Sequence, residues 1–186
     1  MDVTTVLRDQ HAEIRRAFRR AALPGPGRND AFRALVRMLA VHEAAEQAHV
    51  HPTTRRVGRK TMAAARVSEE ERATRLLAQL WQAGPRGAGY LGRLWVLRRE
   101  VLAHAAREER EEFPVLDRLG RARRWLLGVE VWLARELAPT RPHPKVTGEL
   151  ANKLAMPVFG PADRIRDLAS RLRQAQSSSR NGRRLG

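Results

Sequence analysis

Apolar residues recur at every third or fourth position through most of this 186-residue chain, a spacing that predicts amphipathic helices rather than strands. Prolines and glycines separate the helical stretches and place the ends of five predicted helices. We expect these helices over about 3–22, from just after residue 29 or 30 to about 51, from near 68 to before 84, over about 91–112 and over about 116–137. Four such helices joined by short turns predict an all-α fold, an up-down four-helix bundle. We expect the fifth helix to cover one end or one side of this bundle, and further helices to follow it.

Individual residues mark several of the predicted helix ends. Pro52 should end the second helix, and Pro114 lies just beyond the end of the fourth, because proline lacks the N–H that an interior helical position donates. Ser68 and Glu71 have the spacing of a capping box, which places the start of the third helix near Ser68. These boundaries predict a bundle domain over residues 1–138 that includes the fifth helix.

The C-terminal part of the chain differs in composition from the bundle. Residues 139–176 begin with closely spaced prolines and end in an amphipathic stretch at about 162–174, so we expect a proline-rich connection followed by a helix. Residues 177–186 are rich in serine and arginine, which is typical of a disordered basic tail.

Composition narrows the possible chemistry and location. The chain has no cysteine, which excludes disulfides, thiolate zinc sites and iron–sulfur clusters. Its net charge of +16 would attract polyanions, but no nucleic-acid-binding motif accompanies the charge, so nucleic acid is a possible but not a favoured partner. No secretory signal is visible, and the most apolar stretch, Trp125 to Ala134, is too short to cross a bilayer. We therefore expect a cytoplasmic protein without membrane contact.

Polar side chains interrupt the apolar stripes of the first four helices at positions that should face inward. Burying carboxylates costs several kcal/mol each unless they are paired or bind a metal ion. A group of inward carboxylates and imidazoles at one level of a bundle therefore predicts a metal site. The candidate ligands are His11, His42, Glu46, Glu70, His104 and Glu108.

The second and fourth helices carry the same motif, which strengthens the prediction. In each, a histidine precedes a glutamate by four residues, and a proline follows that glutamate six residues later. The residues are His42, Glu46 and Pro52 in one helix and His104, Glu108 and Pro114 in the other. Side chains four residues apart lie on the same helix face, where they can bind one ion together. Imidazole and carboxylate without thiolate suit iron or manganese, with zinc also possible.

With these motifs the chain resembles the hemerythrin family of HHE cation-binding bundles, actinobacterial type, over about residues 1–120. The resemblance is carried by 9–14 (DQHAEI), 42–46 (HEAAE), 104–109 (HAAREE) and 111–114 (EEFP). It implies a four-helix bundle with two non-haem iron ions that are oxo- or hydroxo-bridged. Glu46 and Glu108 would bridge the irons, and the histidines would be terminal ligands. Residues 141–167 resemble C-terminal extensions of actinobacterial members.

The third helix departs from the family pattern, since the family has a histidine there and this chain has none between His51 and His104. Alignment puts Glu70 at the histidine position, and a slip of one residue would select Glu71. A carboxylate in place of imidazole should stabilise ferric iron and lower the reduction potential, and it puts reversible oxygen carriage in doubt. A midpoint potential at or above that of an all-histidine relative would contradict this hypothesis.

The remaining polar residues near the motifs divide into candidates and solvated positions. Glu43 is a further possible iron ligand. We expect His51 to be exposed because it precedes Pro52, and we expect an acidic run to form a solvated face. That run is Glu109, Glu111 and Glu112.

The resemblance favours a di-iron protein that reacts with or senses hydrogen peroxide, dioxygen or nitric oxide, with an electron donor that the sequence does not identify. Catalase-like peroxide disproportionation is the preferred enzymatic interpretation. Two alternatives stay open: a metal-dependent iron or oxygen sensor or store without turnover, and a basic helical adaptor that binds polyanions. In the adaptor, arginines would neutralise the inward acids.

Overall fold

The computed structural model describes residues 1–136, which form seven α-helices and two π-helical turns and contain no strand. The α-helices are α1 Val3–Ala22, α2 Arg28–Ala45, α3 His51–Arg56, α4 Lys60–Ala83, α5 Tyr90–Arg107, α6 Phe113–Asp117 and α7 Arg121–Glu136. The predictions for residues 137–186, including the proline-rich connection, the last amphipathic helix and the tail, lie outside the described residues.

The helices pack as a bundle of four rods, which confirms the predicted all-α architecture. The rods are α1, α2 with α3, α4, and α5 with α6. Neighbouring rods in the chain pack against each other, α1 also contacts α5, and α7 packs against α1 and α2. The predicted cover over one side of the bundle is therefore α7, which begins at Arg121, later than the expected residue 116.

Two apolar clusters fill the bundle, one on each side of a level near its middle. Along α1, Val3 and Leu7 belong to the first cluster, whereas Ile14 and Phe18 belong to the second. The first cluster also takes in Phe113 and the inner face of α7, and the second lies towards the α1–α2 and α4–α5 turns. His11 lies between the two, at the level where polar residues replace the apolar core.

The second and fourth rods continue beyond their prolines, so the expected ends at Pro52 and just before Pro114 were wrong. A π-helical turn over Glu46–Val50 joins α2 to α3, and another over Glu108–Glu112 joins α5 to α6. In both rods the proline is an early residue of the helix that follows the π turn. Proline is tolerated there because the first turn of a helix does not need its N–H.

The third rod begins at Lys60, eight residues before the start predicted at Ser68. Gly58 takes the left-handed conformation, with φ of 84°, and reverses the chain after α3. The next residues, from Lys60 to Arg66, include three consecutive alanines, which favour helix as soon as the chain has turned. Ser68 is exposed within α4 and caps nothing.

None of the helices between residues 1 and 136 has both the length and the apolar character that a membrane span requires.

Candidate metal centre

The structure brings the six predicted ligand side chains together in one level of the bundle, the polar layer, between the two apolar clusters. Each is at most 6% exposed. Every rod contributes: His11 from α1, His42 and Glu46 from α2 and its π turn, Glu70 from α4, and His104 and Glu108 from α5 and its π turn.

Imidazole nitrogens and carboxylate oxygens face each other across the layer at the spacing of ligands to a shared ion. The Nε2–oxygen distance is 3.3 Å from His42 to Glu46 and 3.4 Å from His104 to Glu108. His11 Nε2 lies 3.3 Å from the other oxygen of Glu108. Two ligands about 2.1 Å from one ion, at angles between about 90° and 109°, stand about 3.0–3.4 Å apart.

The three imidazoles of the polar layer are oriented alike, each held from outside through Nδ1. The partner oxygens belong to Glu109 for His11 at 2.8 Å, Gln10 for His42 at 2.8 Å and Glu69 for His104 at 3.0 Å. Since a carboxylate or amide oxygen can only accept, each Nδ1 carries the proton and donates it. When the ring is neutral, Nε2 is then a bare acceptor that points inward, the tautomer that metal-bound histidines adopt.

Several buried atoms of the layer have no hydrogen-bond partner among residues 1–136. They include Nε2 of His11 and His104 and all four carboxylate oxygens of Glu46 and Glu108. Acceptors that face acceptors without a proton or a cation between them repel each other in a medium of low polarity. The donor set and its orphaned atoms therefore fit a bound cation.

Burial shifts the pKa of His42 and of Glu46 towards the uncharged form, whereas in the pair of His104 and Glu108 mutual attraction outweighs burial, raises the pKa of His104 and lowers that of Glu108. Burial, followed by the nearby charge of His11, lowers the pKa of His42 to about 3, so its imidazole is neutral and free to bind metal at neutral pH. Burial and the charge of Glu108 raise the pKa of Glu46 well above its usual range. Without a cation, the protonated acid is therefore the favoured form of Glu46.

Two residues that the sequence analysis excluded lie beside the layer. His51 was expected to be exposed and Glu112 to lie on a solvated face, and both expectations were wrong, because both side chains are buried. His51 Nδ1 lies 3.2 Å from Glu112, and its Nε2 lies 2.8 Å from Glu70. Burial lowers the pKa of His51, but its bonds to Glu112 and Glu70 outweigh burial and raise the pKa to about 10.

The first π turn explains the burial of His51. In a continuous α-helix His51 would lie about 180° around the axis from His42, on the outer face. The π turn inserts one residue, and the His51 N–H donates to the carbonyl of Glu46, five residues earlier. The second π turn does the same with Phe113 and Glu108. The sequence signal that could have revealed the turns is the proline six residues after each glutamate, which needs an irregular turn before it.

The buried His and Glu side chains form three groups whose ligand atoms lie within 4.8 Å of one another. The groups are His11, His42, Glu46 and Glu108; Glu46, His51 and Glu70; and His51, Glu108 and Glu112. His104 belongs to none of them, although its Nε2 lies 3.4 Å from Glu108 and 3.9 Å from Glu46.

Helix α4, the third helix of the sequence prediction, presents Glu70 rather than Glu71 to the polar layer. Glu70 is buried and accepts from the Gln47 amide at 2.7 Å and from His51, whereas Glu71 is exposed. Glu43 belongs to none of the metal-binding groups, and it accepts from the Thr74 hydroxyl at 2.9 Å.

A small cavity adjoins the layer on the side of the second apolar cluster. It offers about 10 Å³ for the centre of a water-sized molecule, which is about one water position. Its polar lining comes from the three imidazoles, Glu43 and Glu70. Its apolar lining includes Ile14, Leu39 and Val101.

Comparison with known proteins identifies the family and the fold of the bundle. The family model for the hemerythrin HHE cation binding domain matches residues 2–122. The crystal structure of a hemerythrin HHE cation binding domain-containing protein from Mycobacterium kansasii is similar, with a TM-score of 0.70 at 20% sequence identity. The match covers 82% of this chain and 98% of that one, and at this identity it shows the fold alone. The search of curated proteins gave no match.

Proposed function

Because this chain belongs to the hemerythrin HHE cation-binding family, we propose that its polar layer holds two non-haem iron ions that react with a small oxidant. Family membership and the His and Glu groups support cation binding. The identity of the metal as iron, the presence of two ions and the reaction with an oxidant are our proposal. The partner would be hydrogen peroxide, dioxygen or nitric oxide, with an electron donor of unknown identity.

The observation that carries this proposal is the set of inward, unpartnered donor atoms. Three imidazoles are fixed through Nδ1 with Nε2 facing four bare carboxylate oxygens. A donor set of nitrogen and oxygen without sulfur is typical of non-haem iron, which would supply redox chemistry and an open position for a small molecule. Glu46 and Glu108 each lie within reach of two imidazoles, as bridging ligands should.

The cavity supports a small oxidant as the reactant. It has room for about one water-sized molecule, which excludes larger compounds, and apolar side chains form part of its wall. Glu43 places a carboxyl group at the cavity wall, where it can exchange a proton with bound peroxide. We propose disproportionation, in which two hydrogen peroxide molecules give two water molecules and one dioxygen molecule; this reaction balances without the external electron donor that reduction of dioxygen or nitric oxide would need.

Iron content and oxygen evolution test this function. Protein reconstituted with ferrous iron without air and then desalted should hold about two irons per chain and release dioxygen from peroxide. His42→Ala should lose iron, whereas His49→Ala should retain it, since His49 lies near Glu130, outside the layer. A wild-type protein without iron would refute the proposal. Iron without oxygen evolution would favour the sensor or store.

The structure offers less support for the polyanion-binding adaptor. That function required arginines to neutralise the inward acids. Within residues 1–136, the arginines nearest the layer pair with acids outside it: Arg66 with Glu69 and Glu111, Arg107 with Glu69 and Arg15 with Glu109. Glu46 and Glu108 keep all their oxygens without a hydrogen-bond partner.

A further inference from the structure

His51 shares one feature with the three imidazoles of the polar layer, an acceptor behind Nδ1, whereas its Nε2 is hydrogen-bonded to Glu70 and Nε2 of His11 and His104 has no partner among residues 1–136. Nδ1 of His51 faces the acceptor Glu112 at 3.2 Å, as Nδ1 of His42 faces Gln10 at 2.8 Å. Its Nε2 points to carboxylates of the layer and lies 2.8 Å from Glu70. An acceptor behind Nδ1 and acids in front of Nε2 are the arrangement by which proteins orient a metal-binding histidine.

We propose that His51 is a ligand of one of the two ions and supplies the imidazole that α4 lacks. Glu112 is the residue that positions it. This inference rests on the proposed two-ion centre. The ligand atoms of His51, Glu70 and Glu46 lie within 4.8 Å of one another. Glu46 also belongs to the group of His11 and His42, so it would be within reach of both ions.

A comparison of His51 with the equivalent residue Phe113 supports this role. His51 and Phe113 are equivalent, since each directly follows a π turn that begins with a layer glutamate and each precedes a proline. Helix α1 supplies the imidazole of His11, which stacks on Phe113 with ring centres 5.8 Å apart. Helix α4 instead supplies Glu70, which faces the imidazole of His51, the residue equivalent to Phe113. In one contact between rods the imidazole therefore comes from α1, and in the other it comes from the residue directly after a π turn.

Charge balance also favours a second ion beside His51. Four carboxylates at this level of the bundle are at most 1% exposed: Glu46, Glu70, Glu108 and Glu112. Two divalent cations carry four positive charges and neutralise them with every imidazole neutral. A single ion would leave two of these carboxylates to be neutralised by a proton or by an imidazolium.

Metal titration separates this role from a purely structural ion pair. Purified chain, freed of metal by chelation, is titrated with manganese(II) or cobalt(II), and bound ions are counted by calorimetry and elemental analysis. Wild-type protein should bind two ions. His51→Phe, which copies the equivalent Phe113, should bind one, and the same substitution at His49, on the π turn just before His51, should leave two.

A wild-type and a His51→Phe protein that both bind two ions with equal affinity would overturn the role of His51 and leave the two-ion centre intact. A wild-type protein that binds fewer than two ions would contradict the two-ion centre, and the role of His51 with it. Circular dichroism of each variant checks that the helices are retained.

A second measurement needs no variant. In the cobalt(II) protein, each coordinated imidazole should give one paramagnetically shifted N–H proton signal that disappears slowly in D₂O, because each Nδ1–H is held by an acceptor. Four such signals are expected if His51 is a ligand beside His11, His42 and His104. Three signals would overturn the proposal.

Discussion

Gln10 and His42 come from different helices, yet the Gln10 amide oxygen accepts the Nδ1–H of His42 at 2.8 Å in the buried interior. Glu109 and Glu69 hold His11 and His104 in the same way. The imidazoles are therefore fixed by residues that would not themselves touch a metal ion. Of these acceptors, only Gln10 is uncharged, which makes it the residue where orientation can be tested without changing the charge.

Replacing Gln10 with leucine should weaken metal binding about 10- to 100-fold, the usual effect of losing an outer hydrogen bond to a ligand histidine. His42 would lose the acceptor that fixes its tautomer, while the size of the side chain is nearly preserved. Competition with a coloured chelator measures the affinity directly.

The same substitution at Gln79, which is exposed on α4, serves as the control and should leave the affinity unchanged. Equal affinities for wild type and Gln10→Leu would indicate that packing alone orients His42.

Removing the metal should destabilise the protein, because the buried carboxylates of the layer then lack a counter-charge. An ion present at 100 times its dissociation constant contributes about 2.7 kcal/mol, and with about 2–4 °C per kcal/mol for a chain of this size, each ion should raise the Tm by about 5–10 °C. Thermal unfolding with added manganese(II) and with excess chelator measures the difference.

Two variants make this prediction specific. Glu46→Gln should remove most of the metal-dependent rise while leaving the chelated protein at least as stable as wild type, since an amide needs no counter-charge. Tyr90→Phe should lower both Tm values and keep their difference, because its hydroxyl donates to the Ala21 carbonyl at 3.1 Å, far from the layer. A chelated protein as stable as the metal-loaded one would argue against a site within the folded bundle.

The sequence could predict the parts of the centre that follow from regular helical geometry. His42 and Glu46 lie on one face of a helix because they are four residues apart, and the rule applies equally to His104 and Glu108. Their burial follows from the apolar stripes they interrupt. The same reasoning placed Glu70 correctly, because α4 is an uninterrupted helix from Lys60 to Ala83.

His51 could not be predicted in this way, because it lies beyond a π turn, whereas Glu112 lies four residues after Glu108 and its burial follows from the same rule. One inserted residue rotates all that follows by about 100°, so the side expected to face solvent turns inward. Pro52 was interpreted as a helix end, the more common meaning of a proline in a helical pattern. In this bundle it marks a change of helical register instead.

Glu43 should make the stability of the metal-free protein depend on pH. Burial and the nearby charge of Glu70 raise the pKa of Glu43 to about 8, and the hydrogen bond from Thr74 only partly opposes this. Between its unfolded value of 4.5 and about 8, the folded carboxyl keeps a proton that the unfolded chain has lost. The stability that this group contributes is therefore complete below about pH 4.5 and falls as the pH rises towards 8.

Glu43→Gln removes this dependence, so the stability of the variant relative to chelated wild type should increase from about pH 5 to pH 8 and then level off. Urea unfolding at a series of pH values gives the comparison. Glu71→Gln, at an exposed position on the neighbouring helix α4, should show no such increase. A constant difference between Glu43→Gln and wild type would mean that Glu43 is already ionised in the folded protein.

The contact between α7 and the start of α1 can be tested with two glycines in helices. A Cβ on Gly128 would lie 2.9 Å from the Met1 carbonyl oxygen and 3.0 Å from the Val3 nitrogen, both backbone atoms that cannot move aside without shifting α1. Gly128→Ala should therefore cost about 1–3 kcal/mol of unfolding free energy despite the better helix propensity of alanine. Gly92 in α5 has no atom within 4 Å of such a Cβ, so Gly92→Ala should instead stabilise by about 0.5–1 kcal/mol. Chemical unfolding of both variants decides the matter, and stabilisation by both would mean that α7 does not pack closely on the first residues of α1.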